Sequence, residues 1–162
     1  MKRKVFHFST NYSHISTIIL SVLALSLGGI IYISLRPSEH VFFGWISAVG
    51  LDSWLNLARH NSLSLDLLLP EWFVYSLPNG LWAFAYALLI TVIWSGSRTW
   101  LRYFWMASIP VLVLGYEVLQ YAMIIPGTFC IKDIALGIAG LSLGIFVGYK
   151  LSESNNYEKL CK

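Results

Sequence analysis

Four uninterrupted apolar runs separated by short polar loops constrain this chain more than any other feature. The first, Ile15 to Leu35, carries no charge over about twenty residues. A bilayer core about 30 Å thick needs about that many at 1.5 Å per residue. Composition agrees: 57% of the 162 residues are hydrophobic and only 12% charged, with mean hydropathy +0.66, against about 25% charged in ordinary soluble domains. Further spans are expected at about 76–95, 103–125 and 134–149. Within the third, Pro110 removes a backbone donor, which predicts a kink or a local polar contact. The Leu77-Pro78-Asn79-Gly80 stretch reads as the turn that opens the second span.

The expected fold is an all-α integral membrane protein, one domain built as a bundle of four transmembrane helices. Between spans 1 and 2, residues 37–75 change character. They hold Glu39, Asp52, Asp66 and Glu71 with Trp45, Trp54 and Trp72. Apolar residues at Phe43, Ile46, Val49, Gly50, Trp54, Leu57 and Ala58 approximate helical spacing, as in an amphipathic helix at the interface; the greasy Leu63–Leu69 run also admits a re-entrant segment. A polar tail, 150–162, ends the chain.

Orientation follows from the basic residues. With both termini cytoplasmic, the inside holds Lys2, Arg3, Lys4, Arg98, Arg102, Lys150, Lys159 and Lys162, and the outside holds Arg36, Arg59 and Lys132. Eight against three obeys the positive-inside rule. The net charge of +3 is therefore a topology signal, and no basic patch interleaved with aromatics suggests nucleic acid. A cleaved signal peptide fits poorly, because the first run exceeds the usual length of about 7–15 residues.

Chemistry concentrates between Gly115 and Gly148. Glu117 and Gln120 lie one helical turn apart on the third span, flanked by Tyr116 and Tyr121. Pro126-Gly127 breaks the chain, and Lys132 and Asp133 stand at the mouth of the fourth span. Ending the third span at Ile125 places Glu117 about 12 Å below its outer end. A carboxylate inside a span is costly, so it faces the bundle interior and finds a partner or a ligand. Glu117, Gln120, Asp133 and Lys132 can converge on one outward-facing site for a polar head group, an ion or a proton. The bland alternative is that Glu117 and Gln120 only bond a neighbouring helix and Asp133 only caps its own.

Gly140, Gly144 and Gly148 form two overlapping GxxxG patterns, a face for close helix packing. The partner is either another helix of this chain or, as a homodimer, a second copy. Gly28-Gly29 is a weaker signal of the same kind. Cys130 and Cys161 form no CxxC pair and fall on opposite sides of the membrane, and no CaaX box is present. His7, His14, His40 and His60 lack metal-binding spacing, so no metal or cofactor is expected. There is no P-loop, GxGxxG or nucleophile elbow, so no motif stands behind an enzyme, and any enzyme here would be an unfamiliar membrane acid-base type.

Glu117-x-x-Gln120, then Pro126-Gly127, then Asp133 followed by Gly140 and Gly144, resembles the signature of the VanZ-like family of small bacterial membrane proteins. That signature runs E-x-x-Q, a short loop often containing PGR, and a D-x-x-x-N-x-x-G-x-x-x-G helix. The resemblance covers the last third of the chain; Thr128 stands where the family often has Arg, and Gly137 where it usually has Asn. It implies a multi-pass protein of the bacterial inner membrane, in a family whose founding member is associated with glycopeptide resistance. The leading expectation is a membrane protein whose outer-leaflet site binds a lipid or cell-wall precursor head group and so affects envelope sensitivity. A small proton-coupled transporter using Glu117, or an accessory subunit of a membrane complex, are the alternatives.

Overall fold

The computed structural model describes residues 12–36, 44, 47–50, 53, 56–57, 69–125 and 128–160. Five helices organise them: α1 (Tyr12–Leu35), α2 (Glu71–Tyr75), α3 (Leu77–Trp94), α4 (Trp100–Tyr121) and α5 (Ile131–Leu160). Four stretches are long and apolar enough to cross a membrane: His14–Leu35, Glu71–Trp94, Trp100–Tyr121 and Ile131–Glu153. The protein is an all-α bundle of four membrane-spanning helices. Most of the 37–75 segment lies outside the described residues, as do Pro126 and Gly127.

The boundaries differ from the sequence expectation in physically informative ways. The second span begins at Glu71, one short helix earlier, and the turn expected at Leu77–Gly80 is helical. Pro78 sits in the first turn of α3, where its missing N–H would have had no intrahelical acceptor anyway. The irregular residue is Ser76, whose amide donates to Trp72 O at 3.0 Å. At the other end, α4 stops at Tyr121 rather than 125. Ile124 N donates to Leu119 O and Met123 N to Gln120 O, and Met123 adopts φ 56°. That is the Schellman pattern of helix termination, with a methionine in the left-handed position usually given to glycine. Helix α4 passes through Pro110, which is exposed. Helix α5 starts at Ile131 and continues to Leu160, so the polar tail is helical over nearly its whole length.

Helix α3 is the axis of the bundle. It packs most extensively against α5, then α1, with α4 held more lightly by α3 and α5. Its sequence explains this position. Gly80, Ala83, Ala85, Ala87, Leu88 and Thr91 are buried, and small residues let neighbouring backbones close in. Helices α3 and α5 run parallel. A Cβ on Gly140 would collide with the carbonyl of Gly80, and one on Gly144 would lie 2.5 Å from Phe84 O. Gly148 abuts Thr91, and at the far end Ser95 Oγ and Ser152 Oγ share a 2.5 Å hydrogen bond. The glycine face read from the sequence is thus occupied by α3 of the same chain.

Helix α1 presents its own small stripe, Thr17, Ser21, Ala24 and Gly28, all buried. Gly28 accommodates Trp82, whose indole N–H reaches Leu25 O at 3.4 Å and whose ring lies 5.5 Å from Tyr32. Arg36 closes this end. Its guanidinium covers the Tyr32 ring at 4.5 Å and donates to Tyr75 O at 2.5 Å, pinning α1 to the start of the second span.

Gly140→Ala should destabilise the bundle by about 1–3 kcal/mol, because the obstructing atom is backbone and cannot swing aside. Gly29→Ala, whose added methyl meets nothing within 4 Å, should be neutral or mildly stabilising. Reversible unfolding of the reconstituted protein measures both; equal effects would show that the α3–α5 approach is not the tight contact.

Candidate functional site

One stripe of α3 lies off the Gly140, Gly144 and Gly148 contact, and its Trp82 packs against α1 as well. Asn79, Trp82, Ala83 and Tyr86 recur at the spacing of a single helix face and look across to Leu112, Val113, Tyr116 and Glu117 on α4 and to Asp133 and Gly137 on α5. Together they line a cavity of about 250 Å³. It exists because α5 is drawn onto α3 by the glycines while α4, with larger side chains, is held off. Gly137 keeps the α5 side open; a Cβ there would lie 2.9 Å from Val113 Cγ1.

Glu117 is 5% exposed, one of two residues fully buried on α4. Because α4 ends at Tyr121, Glu117 lies one turn from the helix end, about 6 Å at 1.5 Å per residue, rather than the 12 Å expected from a span ending at Ile125. Its Oε2 accepts a hydrogen bond from Cys130 N at 3.4 Å, beyond the usual range of about 2.7–3.2 Å. Oε1 accepts no hydrogen bond from any described residue. Cys130 is the hinge of this corner. Its amide points at Glu117 while its carbonyl accepts from Asp133 N at 3.0 Å and Ile134 N at 3.3 Å. Glu117 therefore faces the N-terminal turn of α5, where free amides and the helix dipole favour negative charge.

Asp133 sits within that first turn and lines the same cavity; its Oδ1 is buried and has no hydrogen-bond partner. Gln120 Oε1 is likewise buried without a partner, but Gln120 is not part of the cavity wall. Of the remaining sequence candidates, Tyr116 lines the cavity. Tyr121 is exposed and packs edge-on against Phe129, ring centres 5.3 Å apart. Lys132 is exposed and lies outside the lining, and among the described residues the ion pair found is Lys150–Glu153, which involves neither acid. The two carboxylates thus come together as the sequence suggested, without the lysine.

The second span's contribution was missed by sequence reasoning. In sequence Asn79 belongs to the expected turn, and Trp82 and Tyr86 stand unmarked within an apolar run. A polar or aromatic residue at 79, 82 and 86 on one helical face was the signal available. Tyr86 also fixes the bottom of the cavity. Ser108 Oγ donates to Trp105 O at 2.6 Å, so in the 2.7 Å bond between the two hydroxyls Tyr86 is the donor. The Tyr86 oxygen consequently offers only lone pairs. Beyond it, Ala87, Ile90 and Ile109 form an apolar plug, packed by Trp94, Met106, Leu141 and Ile145. The cavity lies on the other side of Tyr86 from this plug, lined by the two carboxylates, the Asn79 amide and the aromatic residues Trp82, Tyr86 and Tyr116.

No family model, curated protein or solved structure matches this chain.

If Glu117 only tethers the start of α5, Glu117→Ala should cost about 1 kcal/mol of stability through the loss of one hydrogen bond, while Glu117→Gln, which keeps an acceptor oxygen, should cost little. Thermal unfolding in detergent separates the two. Comparable losses in both variants would mean that the charge itself holds the corner together.

Proposed function

We propose that this chain is a VanZ-like protein of a bacterial inner membrane, with both termini cytoplasmic, that binds the head group of a lipid or cell-wall precursor at the outer leaflet and thereby alters envelope or antibiotic sensitivity. The observation that carries this reading is the meeting of Glu117 and Asp133 in one aromatic-lined cavity near the end of the bundle. A buried carboxylate with a weak protein partner is expensive in a membrane, and a ligand that supplies hydrogen-bond donors offsets that cost.

Three further features support it. The cavity lies at the Arg36 and Lys132 end, the end with fewer basic residues, which the positive-inside rule assigns to the outer face. Beyond Tyr86 it gives way to the buried apolar core of Ala87, Ile90 and Ile109, a geometry suited to holding a group rather than passing it across. Its size is just below the range of about 300–1,000 Å³ for sites that enclose a whole small molecule, so it suits a head group whose tail stays in the bilayer. Among the described residues neither acid has a basic residue in the cavity's lining, which disfavours a phosphate as the recognised group.

Native mass spectrometry of the gently solubilised protein, wild type against a Glu117→Gln, Asp133→Asn double variant, tests the proposal. A lipid retained by the wild type and lost from the variant is expected. The same lipid held equally by both would return these acids to helix packing, and a stoichiometric protein partner in place of lipid would move the function to a complex. For the topology, a cysteine introduced at Thr128 in a Cys130→Ser, Cys161→Ser background should react with an impermeant maleimide added to intact cells, and one introduced at Ser97 should not.

A further inference from the structure

We propose that the group this cavity recognises is a protonated primary amine. The inference rests on the head-group reading above and narrows it to one chemical class.

The polar atoms lining the cavity are mostly acceptors. Glu117 Oε1 accepts nothing from the described residues, Asp133 Oδ1 is buried without a donor, and the Tyr86 hydroxyl has spent its proton on Ser108. Against these stand the side-chain amide of Asn79 and the Tyr116 hydroxyl, and among the described residues no lysine, arginine or histidine lines the wall. Such a set asks for a ligand rich in N–H or O–H donors. Charge narrows the choice. Two carboxylates share a cavity whose walls include the apolar Ala83, Leu112 and Val113, and a cation between them offsets both their desolvation and their mutual repulsion.

The walls identify the kind of cation. Trp82, Tyr86 and Tyr116 line the same cavity as the carboxylates, and an aromatic ring face attracts an organic ammonium. A hard metal ion would want about six or more oxygen ligands, whereas among the described residues no three His, Cys, Asp or Glu side chains come together. A quaternary ammonium satisfies the rings but leaves Asp133 Oδ1 and Glu117 Oε1 without a hydrogen bond. A primary ammonium has three N–H donors and meets both demands. The same group occurs on amine-headed lipids and on free small amines.

The test uses the full chain in phosphatidylcholine nanodiscs, with thermal unfolding followed by tryptophan fluorescence and three single-chain probes of equal length: decylamine, decyltrimethylammonium and decanol. Decylamine should bind about tenfold or more tightly than either other probe, since each of those loses the N–H donors or the charge. That preference should vanish in the Glu117→Gln, Asp133→Asn variant. Decanol or decyltrimethylammonium binding as well as decylamine in the wild type would overturn the amine assignment, and this comparison needs no variant to fold. If that unselective binding were still lost in the variant, the head-group site would stand without its amine. Equal binding in wild type and variant would overturn both. Replacing decylamine with ethylammonium separates the sources: an undiminished shift means that the site reads a free amine, and a shift seen only with decylamine means a lipid-borne one.

Discussion

The close approach of α3 and α5 through glycine backbones is the contact on which the rest of the structure depends. Lipid tails are as apolar as leucine, so burying leucines gains little between membrane helices, and backbone proximity with dense van der Waals contact must hold them instead. Gly80, Gly140 and Gly144 make that contact possible, and any side chain at Gly140 would strike backbone. Small residues on α1 repeat the solution on another side of α3, with Trp82 seated over Gly28. Helix α4 has no such stripe; Ile109 packs against α3, but most of its other large side chains are exposed. The cavity is the space that this inequality leaves.

The polar corner above the cavity follows from how two helices end. The Schellman turn at Leu119–Ile124 stops α4 one turn after Glu117, and Cys130 then opens α5 with its amide directed at the Glu117 carboxylate. One residue therefore couples the carboxylate to the first turn that carries Asp133. A membrane protein tolerates such an arrangement only near a helix end, where free amides and the helix dipole offset part of the desolvation cost. Beyond Tyr86, Ala87, Ile90 and Ile109 form the buried apolar core of the bundle.

The chemistry of the candidate site was legible in part. Glu117 and Asp133 stood out because charge inside or at the mouth of an apolar run demands a reason, and both line the cavity. Gln120 and Tyr121 share the same helical stretch, yet Gln120 is not part of the cavity wall and Tyr121 is exposed, packed against Phe129. Lys132 neighbours Asp133 in sequence but projects to the surface, since consecutive helical residues do not share a face. Asn79, Trp82 and Tyr86 were hidden because aromatic residues in a span carry no signal of their own until a neighbouring helix gives one face a purpose.

By itself the sequence determined that the chain is helical and carries four runs long and apolar enough to cross a membrane. Run length and apolar content suffice for that, because a bilayer admits no other way to satisfy the backbone of such segments. It also marked the glycines and the two acids, since each departs from what a plain span contains. Only the tertiary structure decided which helix the glycines meet, that α3 rather than α4 is the axis, and that the acids face aromatic residues from a span some forty residues away. Those outcomes depend on which small-residue faces can approach one another, a property of pairs of helices that no single run of sequence contains.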